Sequence, residues 1–530
     1  MTTTARVDDA DDDSRRLNEL GYAQELHRGM GWFSNFAVSF TVISILTGGI
    51  TTYYLAMNAG GPRTATWGWL FVGLMSTLVG LAMAEVCSAY PTAGGLYYWA
   101  AKMATPRRAP VASWFTGWFN LVGQVAVTAS IDFGLATIVG FFLKLTIAPG
   151  FGASPRQILL VYVAILVVHG LLNSFGVKLV ARLNDVSVWW HLGFTAIVVV
   201  ALFLTPQTTT PLRHVFTDYA NTTGFGSGAL ATVWVVAVGL MLTQYTITGF
   251  DASAHMTEET RDAAVSGPRG IVTAIWVSVV AGFVLMVGLS VAVPYAAGTQ
   301  EYAGLAGGGI LAGPTIIVDA LGGTLGKLLL LAVIVAQFFC GMASVTANSR
   351  MIYAFSRDGA IPGSRLWHRI NPRTRTPTNS IWFAVVGAAV LGVPSLYTNE
   401  GYAVAFFAIV SVAVVGLYVS YVIPVLLRRL NRDFRPGPWH LGRGSAVIGW
   451  AAVVWVVLIL FPLLGPQFNP YPDGKFAVNA FNFALLVMLV VIGFAGVYWL
   501  VSARRWFTGP KVQGDAAELA AIEADLNRVS

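Results

Sequence analysis

Thr246-Ile247-Thr248-Gly249-Phe250-Asp251-Ala252-Ser253-Ala254-His255-Met256-Thr257-Glu258-Glu259 is the stretch whose reading decides the fold. It continues an apolar run that begins near Leu230. A membrane helix should run straight on, yet this one meets Thr248, Gly249 and Asp251. Glycine costs about 1 kcal/mol in a helix interior, and an aspartate at bilayer depth costs roughly 2.5–3.5 kcal/mol on insertion scales. The stretch therefore reads as a helix that stops, exposes backbone, and restarts with Asp251 or Ser253 near its new N-terminus. Unwound backbone survives in a membrane only where it lines a cavity or is buried in protein. The first apolar segment carries the same interruption, at Ser44-Ile45-Leu46-Thr47-Gly48-Gly49-Ile50. Two interrupted segments, one in each half of a chain, point to the substrate site of a transporter.

Composition sets the solvent. Of the 530 residues 56% are hydrophobic and 11% charged, against about 25% charged in a soluble domain. Apolar runs long enough to cross a bilayer recur along the whole length, so the chain reads as an all-α polytopic membrane protein. The roughly ten-residue alternating segments of a transmembrane barrel are not seen. The N-terminal 30 residues are polar, carry the acidic run Asp8-Asp9-Ala10-Asp11-Asp12-Asp13, and read as a solvated, disordered tail rather than a signal peptide. Two cysteines, Cys87 and Cys340, both lie in apolar segments and indicate neither a disulfide framework nor a metal site.

Twelve apolar segments are expected, at about 33–57, 66–88, 110–142, 157–174, 185–205, 229–260, 270–295, 314–355, 379–396, 402–427, 444–464 and 477–502. With the N-terminus inside, the inner regions hold 25 of the 32 lysines and arginines and the outer loops 5. That bias puts both termini in the cytoplasm and the protein in the cytoplasmic membrane. The expected organisation is an N-terminal tail (1–30), a transport core (31–430) made of two repeats (31–205 and 229–430), two further helices (431–505) and a C-terminal tail (506–530). In that tail, Asp515 to Leu526 reads as a short solvated amphipathic helix.

With that orientation the outer half of the first helix begins around Gly48, Gly49 and Ile50, offering free N–H groups that suit a carboxylate. The outer half of the sixth helix ends around Tyr245, Thr246, Ile247 and Thr248, offering carbonyls that suit an ammonium. Close helix packing through small residues is the bland account of each glycine; matching breaks in two segments favour the binding account. Asp251 reads either as a contact to a cationic substrate or gating network, or as an N-cap of the inner half-helix. Glu258 and Glu259 read as solvated or paired with Arg261. Glu85 reads as ion-paired with a basic loop, Asp132 as facing the outer vestibule, and His169 as a satisfied structural histidine. His191, following Trp189-Trp190, titrates near neutral pH when unperturbed and is a candidate for proton coupling. Ser344 and Thr346 are candidates for sodium ligation, although such hydroxyls commonly bond their own helix. No nucleotide loop, metal-spaced His/Cys set or nucleophile elbow is present. An enzyme, a resident cofactor and a nucleic-acid partner are therefore not expected.

Four stretches carry a family resemblance: Ala84–Trp99, Asn184–His191, Gly249–Glu259 and Ala347–Pro362. In them the chain resembles the amino acid–polyamine–organocation permeases, in particular the amino acid/choline branch that includes gamma-aminobutyrate and choline permeases. The resemblance implies a LeuT-type fold, with helices 1–5 and 6–10 as inverted repeats and two helices added. It implies substrate contact at Thr47, Gly48 and Gly49 and from Tyr245 to Phe250, with Tyr245 as an aromatic gate. It departs from proton-coupled relatives that carry a lysine within helix 5, which leaves His191 as the substitute. The function expected is secondary transport of an amino acid or small organic amine, driven by a proton or by sodium. A nucleobase symporter of the same fold and a non-transporting amine sensor are the alternatives.

Overall fold

The computed structural model describes residues 4–152, 154–175, 177–204, 210–396 and 401–529. Among these the regular structure is helical, with β-pairing limited to isolated bridges. Twelve helices are long and apolar enough to cross a membrane. Spans 1 to 6 are Trp32–Asn58, Gly61–Ala89, Ala109–Thr146, Pro155–Phe175, Leu179–Leu204 and Ala229–Thr246. Spans 7 to 12 are Ala263–Ala292, Gly323–Arg357, Thr378–Leu396, Phe406–Leu430, Gly442–Leu464 and Ala484–Val501. This is the LeuT-type architecture, twelve spans with the first and sixth broken. Span 1 is the most enclosed by protein and span 12 the least, so the polar interruptions lie on the axis of the bundle rather than in lipid.

Small residues let the inner spans close on one another. A Cβ on Gly123 of span 3 would lie 2.7 Å from the Leu417 nitrogen of span 10, and one on Gly416 would lie 2.7 Å from the Gly123 backbone. The backbones touch there, which larger side chains would forbid.

Three expectations are corrected. The eighth segment is two elements. Ala312–Leu321 belongs to a bent pair, Gln300–Gly307 with Gly309–Leu321, whose halves turn by 108°; span 8 proper starts at Gly323. The bent pair lies over the end of span 1, where Asn58 donates to the Ala306 carbonyl (3.1 Å) and Tyr302 to that of Met57 (3.3 Å). Secondly, the acidic N-terminal run is helical (Thr4–Glu19), and the tail folds back on the bundle. Asp13 accepts from the N–H groups of Asp262 and Ala263 and so caps span 7, while Leu17, Tyr22 and Leu26 are buried. Thirdly, the C-terminal helix (Ala516–Val529) is docked, with Leu519 2% exposed and Glu523 accepting from the Gln24 N–H (2.7 Å). The two tails thus lie against each other on one face of the bundle, the tail face.

Candidate functional site

The break in span 1 is a single residue. Trp32–Ile43 ends and Ile45–Asn58 begins around Ser44, which is left-handed at φ 44°, ψ 69°. Its carbonyl takes the N–H groups of Thr47 (3.1 Å) and Gly48 (2.8 Å). The open donors of the new helix are therefore those of Ile45 and Leu46, one turn earlier than Gly48, Gly49 and Ile50. Those three residues lie inside the second half-helix, and the sequence expectation is corrected accordingly. The two glycines make room instead. A Cβ on Gly48 would meet Thr246 Cγ2 at 2.9 Å, and one on Gly49 would meet Met286 Cε at 2.7 Å.

In span 6 the helix ends at Thr246, the chain is unwound from Ile247 to Asp251, and Ala252–His255 restarts it. Gly249 carries φ +90°, and a Cβ there would lie 2.4 Å from Val42 of span 1. The two breaks are thus pressed together. Tyr418 donates to the Ile247 carbonyl (3.1 Å) and Ser39 to that of Phe250 (2.8 Å). Neither Gly249 nor Phe250 returns its N–H to Tyr245 or Thr246 among the described bonds, so those two carbonyls form the open end of the half-helix.

Between the breaks is a cavity of about 20 Å³ lined by Ser44, Thr47, Gly48, Tyr245, Thr246 and Thr248, with Thr51, Val127, Ile131, Gln337 and Cys340 closing its sides. That is room for about one water. Two larger vestibules flank it. One of about 390 Å³, at the face opposite the tails, is lined by Tyr54, Lys144 and the bent pair's Gly307 to Leu311. The other, about 320 Å³, is lined by tail-face residues including Ser34, Arg182, Asp185 and Arg350. The arrangement is closed at its centre and open toward both faces. Tyr245 donates to Ser130 of span 3 (2.8 Å), tying the end of the span 6 half-helix across the cavity wall.

Of the expected site residues, Thr47, Gly48, Tyr245, Thr246 and Thr248 line this cavity; Gly49, Ile50, Gly249, Phe250 and Asp251 do not. Phe250 packs on Tyr421 of span 10, ring centres 5.0 Å apart. Asp251 is fully buried and makes no side-chain cap. Its carboxylate accepts from Tyr421 (2.6 Å), Gln124 (2.8 Å) and Asn120 (3.3 Å) and faces His255 Nε2 at 3.2 Å. Asp251 occupies the N-cap position of the inner half-helix as expected, but its side chain is spent elsewhere: it fastens span 6 to spans 3 and 10, and no sequence pattern announced Tyr421 as its partner.

His191 meets the span 1 break directly. Its Nδ1–H donates to the Ser187 carbonyl (2.8 Å), so Nε2 is the acceptor of the Ser44 hydroxyl at 2.7 Å. Ser44 Oγ is in turn 2.5 Å from Thr47 Oγ1. Ser344 bonds Thr128 of span 3 (2.8 Å), and Thr346 donates to Asn173 of span 4 (2.6 Å). Both hydroxyls face away from the break. Asp132 does not face a vestibule: it is buried with His169 Nδ1 at 3.2 Å, against Gly341, where a Cβ would collide with the carboxylate.

At the tail face Glu258 and Glu259 are neither solvated nor paired with Arg261. Glu258 binds Arg357 (2.9 Å) and Glu259 binds Arg350 (2.7 Å), so two ion pairs clamp the end of span 6 to span 8. The Arg357 guanidinium lies 3.8 Å from the centre of the Tyr22 ring. Asp358 accepts from Tyr97 (2.8 Å), Tyr22 (3.1 Å) and the Lys511 N–H (3.0 Å). Burial pushes its carboxyl up to about 6, against the opposing pull of Arg357 and these donors. Glu85 pairs with Arg429 (3.1 Å), as its position at the end of span 2 led one to expect.

Comparison with known proteins points to one family. The profile of a family described as amino acid permease matches residues 30–495. Amino-acid permease BAT1 of Arabidopsis thaliana is 43% identical, over 93% of this chain and 95% of its own length. Its homolog in Oryza sativa subsp. japonica is 40% identical over the same shares. A GABA-specific permease of Saccharomyces cerevisiae is 29% identical over 97% of this chain and 88% of its own length.

Proposed function

The chain belongs to the amino acid permease family, and from that premise we propose that it moves a zwitterionic amino acid by alternating access through the cavity between its two breaks. The observation that carries this reading is a cavity lined by no charged side chain that lies between the two breaks, one followed by the open donors of Ile45 and Leu46 and the other ending in the open acceptors of Tyr245 and Thr246. A carboxylate is stabilised at the first pole and an ammonium at the second. Thr47, Gly48 and Thr248 frame the substrate between them. The name of the yeast relative supports gamma-aminobutyrate as one substrate to try. A substrate needs more than the present volume, so binding pulls Tyr245 from Ser130, and each vestibule opens in turn. The charge bias supports a cytoplasmic tail face in the cell membrane, with residues 31–205 and 229–430 as the two moving repeats.

Coupling is assigned to His191. In the neutral form it accepts from Ser44 and holds the break. Protonation turns Nε2 into a donor, so the bond reverses: Ser44 Oγ accepts from Nε2–H, its own hydroxyl proton turns to Thr47 Oγ1, and the hydrogen bonds at the break are rearranged. Sodium is disfavoured because Ser344 and Thr346 are turned to spans 3 and 4. The test is uptake and counterflow of labelled alanine, gamma-aminobutyrate and choline in liposomes, with proton and sodium gradients imposed separately. Amino acid uptake driven by the proton gradient, lost in His191→Gln with exchange retained, is the expected result. Uptake that follows sodium alone and ignores the substitution refutes the coupling; counterflow of choline but of no amino acid refutes the substrate class.

A further inference from the structure

The hydroxyls around the cavity are already engaged. Thr51 donates to the Thr47 carbonyl (2.8 Å), Thr246 to that of Leu242 (2.8 Å), Thr248 to that of Gln244 (2.5 Å), and Tyr245 to Ser130. Cys340 donates to the Val42 carbonyl (3.2 Å). Among the described residues lining the cavity, one side-chain polar atom has no partner: Oε1 of Gln337. Gln337 sits midway along span 8 and is 3% exposed. Its orientation is fixed from the other end of the amide, where Nε2 donates to the Ile131 carbonyl of span 3 (2.9 Å). The same nitrogen sits against Gly134, where a Cβ would lie only 2.8 Å away. The glycine is the space into which the amide fits, and the carbonyl acceptor of a cavity-lining residue is left unused.

We propose that Gln337 reads the end of the substrate remote from its carboxylate, and that its Oε1 selects molecules bearing an N–H donor there: ω-amino acids, or α-amino acids with an amine or amide side chain. The inference rests on the substrate cavity described above and adds to it the chemical class of side chain. A buried acceptor left unpaired carries its full desolvation cost, which an N–H from the substrate recovers. An apolar side chain leaves that cost standing. A side-chain carboxylate adds repulsion between two acceptors. Because a neutral amide accepts from an amide N–H as well as from an ammonium, no formal charge is required at this position. The selectivity therefore runs along donor against acceptor, not cation against neutral.

The experiment is competition for labelled substrate in proteoliposomes using pairs of similar size: glutamine against glutamate, and lysine against norleucine. The parent is expected to prefer the donor-bearing member of each pair at least tenfold. Gln337→Leu is expected to bring both ratios to within about threefold of one. Gln337→Glu is expected to favour lysine over glutamine, since a carboxylate rewards charge. Gly134→Ala keeps every polar atom but displaces the amide, and is expected to weaken both preferences. Ratios unchanged within twofold in Gln337→Leu and Gln337→Glu overturn the assignment of Gln337 while leaving the cavity as the substrate site. A parent that prefers glutamate or norleucine overturns it as well. If no amino acid competes in the parent, the cavity reading itself has failed, a different result from either.

Discussion

Ser44 and Asp251 each place a polar side chain at a helix break and use it differently. Ser44 holds a left-handed backbone that costs a non-glycine residue about 1–2 kcal/mol, and its hydroxyl to His191 Nε2 helps offset that cost. Ser44→Gly removes strain and hydroxyl together, so its unfolding free energy in detergent should stay within about 1 kcal/mol of the parent. Ser44→Ala keeps the strain and loses the bond, and should be destabilised by about 1–2 kcal/mol. Both should flatten the pH dependence of uptake, which a purely architectural serine would not do. Asp251 is a hub of acceptors. Asp251→Asn turns an NH2 toward at least one donor, and a drop of about 1–3 kcal/mol is expected, read as a lower melting temperature in the same detergent.

At the scale of the element, the existence of both breaks was legible because Thr, Gly and Asp are costly in an apolar run. Their positions were not equally so. In span 6 Gly249 marks the unwound stretch, since only glycine takes φ +90° without strain while touching Val42. In span 1 the adjacent glycines drew attention four residues past the true hinge. A serine in a left-handed conformation has no local signature, because what holds it there is a histidine 147 positions away. The same distance problem hid Tyr421, Arg350 and Arg357 as partners. The fusion of Ala312–Leu321 with span 8 came from composition alone: both are apolar, and one glycine, Gly322 at φ 72°, marks the turn. Two measurements separate packing from backbone at Gly249. Gly249→Ala should lose about 2–4 kcal/mol, combining a strained φ with a collision. Adding Val42→Ala should recover only part of that loss; full recovery would mean the positive φ carries no cost.

For the whole molecule, the tail face is where most of the ion pairs gather. Asp358 sits under both tails, and burial there raises its carboxyl from the ordinary 3.8 to about 6, against the lowering pull of Arg357, the Lys511 N–H and the Tyr97 and Tyr22 hydroxyls. The docked state therefore holds a proton that the released, solvated carboxyl gives up over that interval. Docking is favoured below pH 4–6 and weakens as pH rises through 6. From pH 5.5 to 7.5 the docked-to-released ratio should fall about fourfold, measured by protease cleavage of the tail, and Asp358→Asn should abolish the change. Removing residues 509–530 takes away the Lys511 N–H and the Gln513 and Glu523 contacts to residues 21–25. A cysteine placed at Val38, in the tail-face vestibule, should then react faster with a thiol reagent. Ordinary laboratory handling is drawn into this. An affinity handle or fluorescent fusion joined beside Arg528 hangs its bulk on the segment docked against the tail face. A tagged preparation would then report the turnover of an altered protein, whereas a small fluorophore on Gln513 would make the same segment a light-emitting gauge of each cycle.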